Sequence, residues 1–159
     1  MHHRSVCTLI GKHIPTCTSQ WRKNKNDSNI PAQSQPCDVS QNICGPKEDS
    51  HFDTVTVKQS LACAAPPAAP FYVSEDKPAS KIASIRFSPA WIGELHPAPT
   101  RQFLALMSGA VEMETTDGTV RRFRPGDLVL LEDTSGKGYL TTNIADGVST
   151  FLVVPVPVA

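Results

Sequence analysis

The sequence predicts an all-β domain, a closed or doubly layered barrel of jelly-roll type, preceded by a disordered N-terminal extension. Three observations predict it. From His51 onward, apolar runs of four to seven residues alternate with turn signals. No stretch of helical period reaches three turns. Residues 1–50 hold seven Val, Leu or Ile, one Trp and no Phe among Ser, Asn, Gln, Lys and Pro, too little apolar surface to offset the entropy of ordering them. The expected division is therefore an extension over 1–50 and a barrel over 51–159.

The strands follow from the apolar runs. They are Thr54 to Val57, Phe71 to Val73, Ile82 to Phe87, Gln102 to Met107, Val111 to Thr115, Val120 to Arg124, Leu128 to Glu132, Gly138 to Asn143, and Thr150 to Val154. Asp117-Gly118 marks a hairpin, because both residues tolerate positive φ. A two-residue turn there sets Glu114 opposite Arg121. The run Ala64-Ala65-Pro66-Pro67-Ala68-Ala69-Pro70 lacks the amide donors of a central strand and reads as an extended connection. So many short strands must close or fold over to hide their edges.

Fifteen basic and fifteen acidic residues give a net charge of zero in a chain of 159. Nothing in that balance points to nucleic acid or an anionic membrane. The apolar stretches are too short for a membrane-spanning helix. Five cysteines, Cys7, Cys17, Cys37, Cys44 and Cys63, show no C-x-x-C spacing and form an odd set, read as scattered thiols. His2, His3 and His13 add no ligand pattern to them. Met1 to Asn26 carries five Lys or Arg and no acid, but Gly11 and Pro15 cut its apolar patch. A cytoplasmic location is expected, with organellar targeting through this basic segment as the alternative.

The candidate site lies in His96-Pro97-Ala98-Pro99-Thr100-Arg101-Gln102, at the mouth of a predicted strand. Gln102 shares a face with Leu104 and Leu106 and so points inward, where its amide needs a partner such as His96 or Tyr139. Arg101 suits an anionic ligand at the rim or an ion pair with Glu132 or Asp133, the ion pair being preferred. Trp91 is first a packing residue and secondarily a surface on which a ligand stacks. Glu132 to Gly138 lacks the spacing of a phosphate loop and reads as a turn between strands.

In this arrangement of residues, the region from about His51 onward resembles the cupins, small jelly-roll (double-stranded β-helix) barrels, and among them short single-domain members with a similar His-Pro-x-Pro-x-Arg-Gln segment. Their first motif is Gly-x5-His-x-His-x3-4-Glu-x6-Gly. Here His96 takes the first histidine position, Ala98 the second, Gln102 the glutamate and Gly109 the closing glycine. In the second motif, Gly-x5-Pro-x-Gly-x2-His-x3-Asn, Gly126 begins the match. Thr134-Ser135-Gly136 stands for Pro-x-Gly after two extra residues, Tyr139 replaces the histidine and Asn143 keeps its place. The resemblance implies a degenerate metal site in which, of four usual ligands, only His96 remains.

A divalent Fe, Mn, Ni or Zn ion would have His96, Gln102 and Tyr139, a weak set because the phenol must lose a proton and the amide brings no charge. Two functions follow as expectations. One is a binding module for a small polar molecule, with His96, Arg101, Gln102 and Tyr139 lining a pocket and a homodimer as an accompanying option. The other is an isomerase, epimerase or oxygenase, metal-assisted or using His96 and Tyr139 as base and acid from opposite sides of a substrate carbon.

Overall fold

In the computed structural model, residues 37–62, 64–65, 70–79 and 81–157 are described, and their regular structure is all strand. Residues 1–36, with the basic segment and Cys7 and Cys17, lie outside the described residues, as do Cys63 and 66–69 of the proline-rich connection. The strands are β1 (Cys37–Cys44), β2 (Ser50–Val57), β3 (Gln59–Ala62), β4 (Phe71–Ser74), β5 (Ala83–Phe87), β6 (Gln102–Ser108), β7 (Val111–Thr115), β8 (Val120–Phe123), β9 (Leu128–Leu131), β10 (Tyr139–Asn143) and β11 (Ser149–Pro155).

Nine of these match the expected runs. The extension does not reach residue 50: Cys37–Cys44 forms β1, antiparallel to β2 and parallel to β9. Its inward side is polar at Ser40 and Asn42, so it carries none of the inward apolar alternation that marks the other strands. Burial of Val39 and pairing on both edges order it nonetheless. The short β3 was also unanticipated, and it pairs with β4 as a separate two-stranded ribbon.

A six-stranded sheet in the order β2-β1-β9-β6-β11-β5 faces a three-stranded sheet, β10-β7-β8. Residues 91–96 add a fourth, irregular strand beside β10 through bridges Ile92↔Thr142 and His96↔Tyr139. From β5 onward the chain enters the two sheets alternately: large, small, large, small twice, large, small, large. That path, with order β5-β11-β6-β9 opposite 91–96, β10, β7, β8, is the eight-strand jelly roll. The β1–β2 hairpin extends the large sheet beyond β9.

Between the sheets, period-two alternation buries Leu104 and Leu106 of β6, Val111 and Met113 of β7, Val129 and Leu131 of β9, and Phe151 and Val153 of β11 in one cluster. Phe52 and Phe123 close one side with ring centroids 6.2 Å apart. Arg121 lies 5.0 Å over the Phe52 ring and donates to Ser40 Oγ and Asp53 O, each at 3.0 Å, tying β8 to β1 and β2.

This position of Arg121 corrects the expected pairing with Glu114. Thr115 N donates to Thr119 O at 3.0 Å, so the hairpin loop holds three residues, with Gly118 at φ +85°. Glu114 then pairs with Val120, and Arg121 with the buried Met113. One residue of slip sends Arg121 to the inner face and leaves Glu112 and Arg122 as the outer ion pair. The Thr115 hydroxyl, then the Thr119 amide, hold the Asp117 carboxyl below its ordinary range. Such a depressed group supports the fold above its unfolded pKa, and that support is lost as pH falls through the folded one.

At the other turn of β7, Gly109 has φ +87° and lies against Ser149. A Cβ there would overlap Ser149 Oγ and come within 2.6 Å of its Cα. At Gly118 a Cβ would meet open space. Gly118→Ala is therefore expected to cost about 1–2 kcal/mol, the left-handed backbone alone. Gly109→Ala adds overpacking of about 1–3 kcal/mol, and urea denaturation of the two variants should rank them in that order.

Candidate functional site

Residues 91–96 reach the barrel end through four backbone hydrogen bonds to β10: Asn143 N to Trp91 O, 2.9 Å; Gly93 N to Thr141 O, 2.9 Å; His96 N to Tyr139 O, 3.2 Å; and Tyr139 N to His96 O, 3.0 Å. Pro97 has no amide to continue the ladder, and the chain turns inward so that Ala98 N donates to Asp133 O at 2.7 Å. Ala98 is buried in the core cluster with Leu131 and Tyr139. Gly138 has φ +86°, and a Cβ on it would overlap the His96 carbonyl, so a glycine is needed where β10 starts against His96.

His96 and Tyr139 are brought together, though not as a facing pair. The imidazole is exposed, and its Nδ1 donates to Glu94 O at 2.7 Å. The Tyr139 ring is buried, with its centroid 5.3 Å from the imidazole and a tilt of 41°. A carbon held between two rings in contact with both needs about 7 Å. The two rings therefore adjoin each other at one end of the barrel, with no substrate-sized gap between the rings themselves. Burial, and then the Asp133 carboxylate, push the Tyr139 phenol up to about 12, so it stays a protonated donor.

Asp133, fully buried, accepts Gly136 N at 2.8 Å and Gly138 N at 3.0 Å. Lys137 pairs with Asp49 at 2.5 Å. The 132–138 segment is thus the expected turn, fastened by its own carboxylate.

Gln102 points inward with Leu104 and Leu106 and is 8 % exposed. The hydrogen bond expected to His96 or Tyr139 does not form, and its side chain has no hydrogen-bond partner among the described residues. The residue that sequence reasoning missed is Asn42. It pairs with Leu131, which pairs on its other side with Gln102, so both amides flank Leu131 on the inner face. Asn42 is 0 % exposed, and neither its Nδ2 nor its Oδ1 has a partner.

Arg101 is one residue out of phase with Gln102 and lies on the outer side. It pairs with Glu132, which also accepts from Gln41, and donates to Pro157 O at 3.0 Å. The preferred ion pair is thus observed, and Arg101 does not join His96, Gln102 and Tyr139. Trp91 stacks on Phe87 at 4.2 Å and 8°, and Phe87 meets Phe151 edge-on at 6.0 Å. Its indole also covers Gly93, where a Cβ would come within 2.6 Å of the ring.

The donors at this end do not fit a resident Fe, Mn, Ni or Zn ion. One exposed imidazole, one neutral amide and a phenol held near 12 offer no anionic ligand at neutral pH. Among the described residues, no three His, Cys, Asp or Glu side chains are grouped to hold a metal.

No family model matches this chain, and no curated protein does. Among solved structures, it is similar to the Drosophila melanogaster CENP-C cupin domain, at 15% identity and TM-score 0.40, over 77% of this chain and 75% of that one. A cupin domain from Bordetella pertussis is similar at 19% identity and TM-score 0.41, over 53% and 88%. A cupin-superfamily sugar phosphate isomerase from Silicibacter pomeroyi is similar at 17% and TM-score 0.38, over 78% and 73%. What the chain's own strand order shows is the eight-strand jelly roll with an added hairpin. No helix among the described residues is long and apolar enough to cross a membrane.

The raised phenol makes a prediction with a defined sign. Unfolded, Tyr139 ionises near 10; folded, near 12. Stability from its burial as a neutral group is complete below pH 10 and is lost as pH rises toward 12, on the order of 2–3 kcal/mol at most. Denaturation at rising alkaline pH should show this loss in the native sequence and not in Tyr139→Phe. Phenolate absorbance should show the corresponding late titration vanish in the variant.

Proposed function

We propose that this chain is a binding module whose barrel takes a small neutral polar molecule at the end formed by Asn42, Gln102 and Tyr139, without a metal and without chemistry of its own. The observation that carries this reading is the Asn42 amide, fully buried with both polar atoms unpartnered. Burying such a group without partners costs about 1–3 kcal/mol, and a ligand that displaces the packing around it and offers one donor and one acceptor would recover it. Gln102 lies in the same cross-strand row, less completely enclosed, with its amide available to the same guest.

Neutrality of the ligand follows from the surroundings. The carboxylate of Asp133 is engaged by two backbone amides, and Arg101 sits on the outer face with Glu132. A charged guest inside would find Asp133 and Arg121 already hydrogen-bonded, and unpaired charge is costly to bury. The acid–base enzyme has less support, because the His96 and Tyr139 rings adjoin each other.

A thermal-shift screen of neutral polyols, monosaccharides and small amides tests the proposal. A saturable rise in midpoint is expected with the native sequence. The Asn42→Leu/Gln102→Leu variant should lose that rise while its ligand-free stability stays equal or increases by about 1 kcal/mol. If Asn42→Leu alone costs more than about 2 kcal/mol, the amide is structural and the proposal is wrong. No shift with any compound in the native protein points to enclosed water and equally sinks it.

A further inference from the structure

The outer face of the six-stranded sheet is apolar where a solvated face would be polar. Val39, Val55, Val57, Phe103, Leu130 and Val156 all lie on it, and three of them, Val39, Leu130 and Val156, form a second buried cluster separate from the barrel core. The cause is visible in β9, whose sequence Leu-Val-Leu-Leu is hydrophobic on both sides. The β3–β4 ribbon makes no ladder with either sheet, and it stands beside this face with Ser60 and its cross-strand partner Val73 on the wall. Sheet and ribbon enclose a groove of about 950 Å3. That volume lies within the range of small-molecule sites.

The rim decides what would fit. Lys58 and Lys77 line it, and neither has an ion pair among the described residues. Arg101, also on the rim, is already paired with Glu132, and among the described residues Glu75 is the one acidic residue lining the groove. The lining is therefore net positive around an apolar floor. A lysine is a point charge on a flexible stem, able to follow a headgroup at the mouth while its methylenes stay on apolar surface.

We propose that this groove binds a single-chain anionic amphiphile, a medium- or long-chain carboxylate, with its alkyl chain on the Val39–Leu130–Val156 floor and its carboxylate between Lys58 and Lys77. A second copy of the chain is the competing occupant, since in a two-fold pair the ribbon of each copy could meet the groove of the other. The rim lysines, with no ion pair among the described residues, favour an anionic guest instead. A polar metabolite would find few hydrogen-bonding groups on the floor. This site is on the opposite face of the sheet from Asn42 and Gln102 and is independent of any ligand there.

Calorimetric titration of the full chain with sodium decanoate below its micellar concentration, with 1-decanol as the neutral control, tests the assignment. One decanoate per chain is expected. Lys58→Glu/Lys77→Glu should weaken decanoate at least tenfold and leave 1-decanol within twofold. Val55→Glu, on the half-buried floor, should weaken both at least tenfold; Val73→Ser on the ribbon replaces it if that variant does not fold. The proposal is overturned if decanoate does not bind, or if it binds the floor and rim variants as tightly as the native chain. It is also overturned if sedimentation shows a dimer that Val55→Glu dissociates, since the groove would then belong to a second copy.

Discussion

One buried amide sets the geometry on which the site depends. Asn143 Nδ2 donates to Ser88 O at 2.7 Å, Gly147 O at 2.9 Å and Phe87 O at 3.3 Å, and its Oδ1 accepts from Ser149 Oγ at 2.7 Å and Ala145 N at 3.1 Å. Ser149 Oγ in turn meets the amide and carbonyl of Ala110. The end of β5, the β10–β11 connection and the turn before β7 are thereby joined at one point. Since Asn143 N also donates to Trp91 O at 2.9 Å, the register of 91–96 on β10 is set here. His96 arrives beside Tyr139 as the far end of that register.

The parts of this fold that were legible in the sequence are those where one face is apolar and the other polar. β6, with Gln102, Leu104 and Leu106 inward, and β7, with Val111 and Met113 inward, follow the alternation that burial on one side requires. Asn143 and Gly109 were legible through their spacing. β1 was not, because its inward residues are Ser40 and Asn42 and its apolar residues face outward, the reverse of the usual sign. The candidate site suffered the same way. Its most informative residue, Asn42, sits in a stretch whose composition resembles a tail, and Arg101, adjacent to Gln102 in sequence, is placed by the two-residue period on the other side of the sheet. Asp117-Gly118 announced a turn correctly, but whether two or three residues form it depends on the Thr115–Thr119 hydrogen bond, which no local pattern encodes.

The large sheet thus separates two chemistries. Inward, neutral amides and a protonated phenol sit among aliphatic side chains; outward, valines and leucines are bordered by cations. Charged groups on the inner side are held by partners, Asp133 by backbone amides and Arg121 by Ser40 and Asp53 across the seam, while Arg101 stays outside on Glu132. Such a partition makes the two faces separable by mutation, because no ion pair spans the sheet among the described residues.

The parallel pairing of β1 with β9 has a consequence for how the chain is made. Gln41 lies beside Leu130, so β1 leaves the ribosome nearly ninety residues before the strand it docks on. At ordinary elongation rates that interval is roughly 5–20 s. Until those later residues follow, Val39 and Val57 have no Leu130 or Val156 to cover them. A nascent hairpin of this kind must wait with its apolar side uncovered, a consequence of the order of synthesis rather than of the finished contacts.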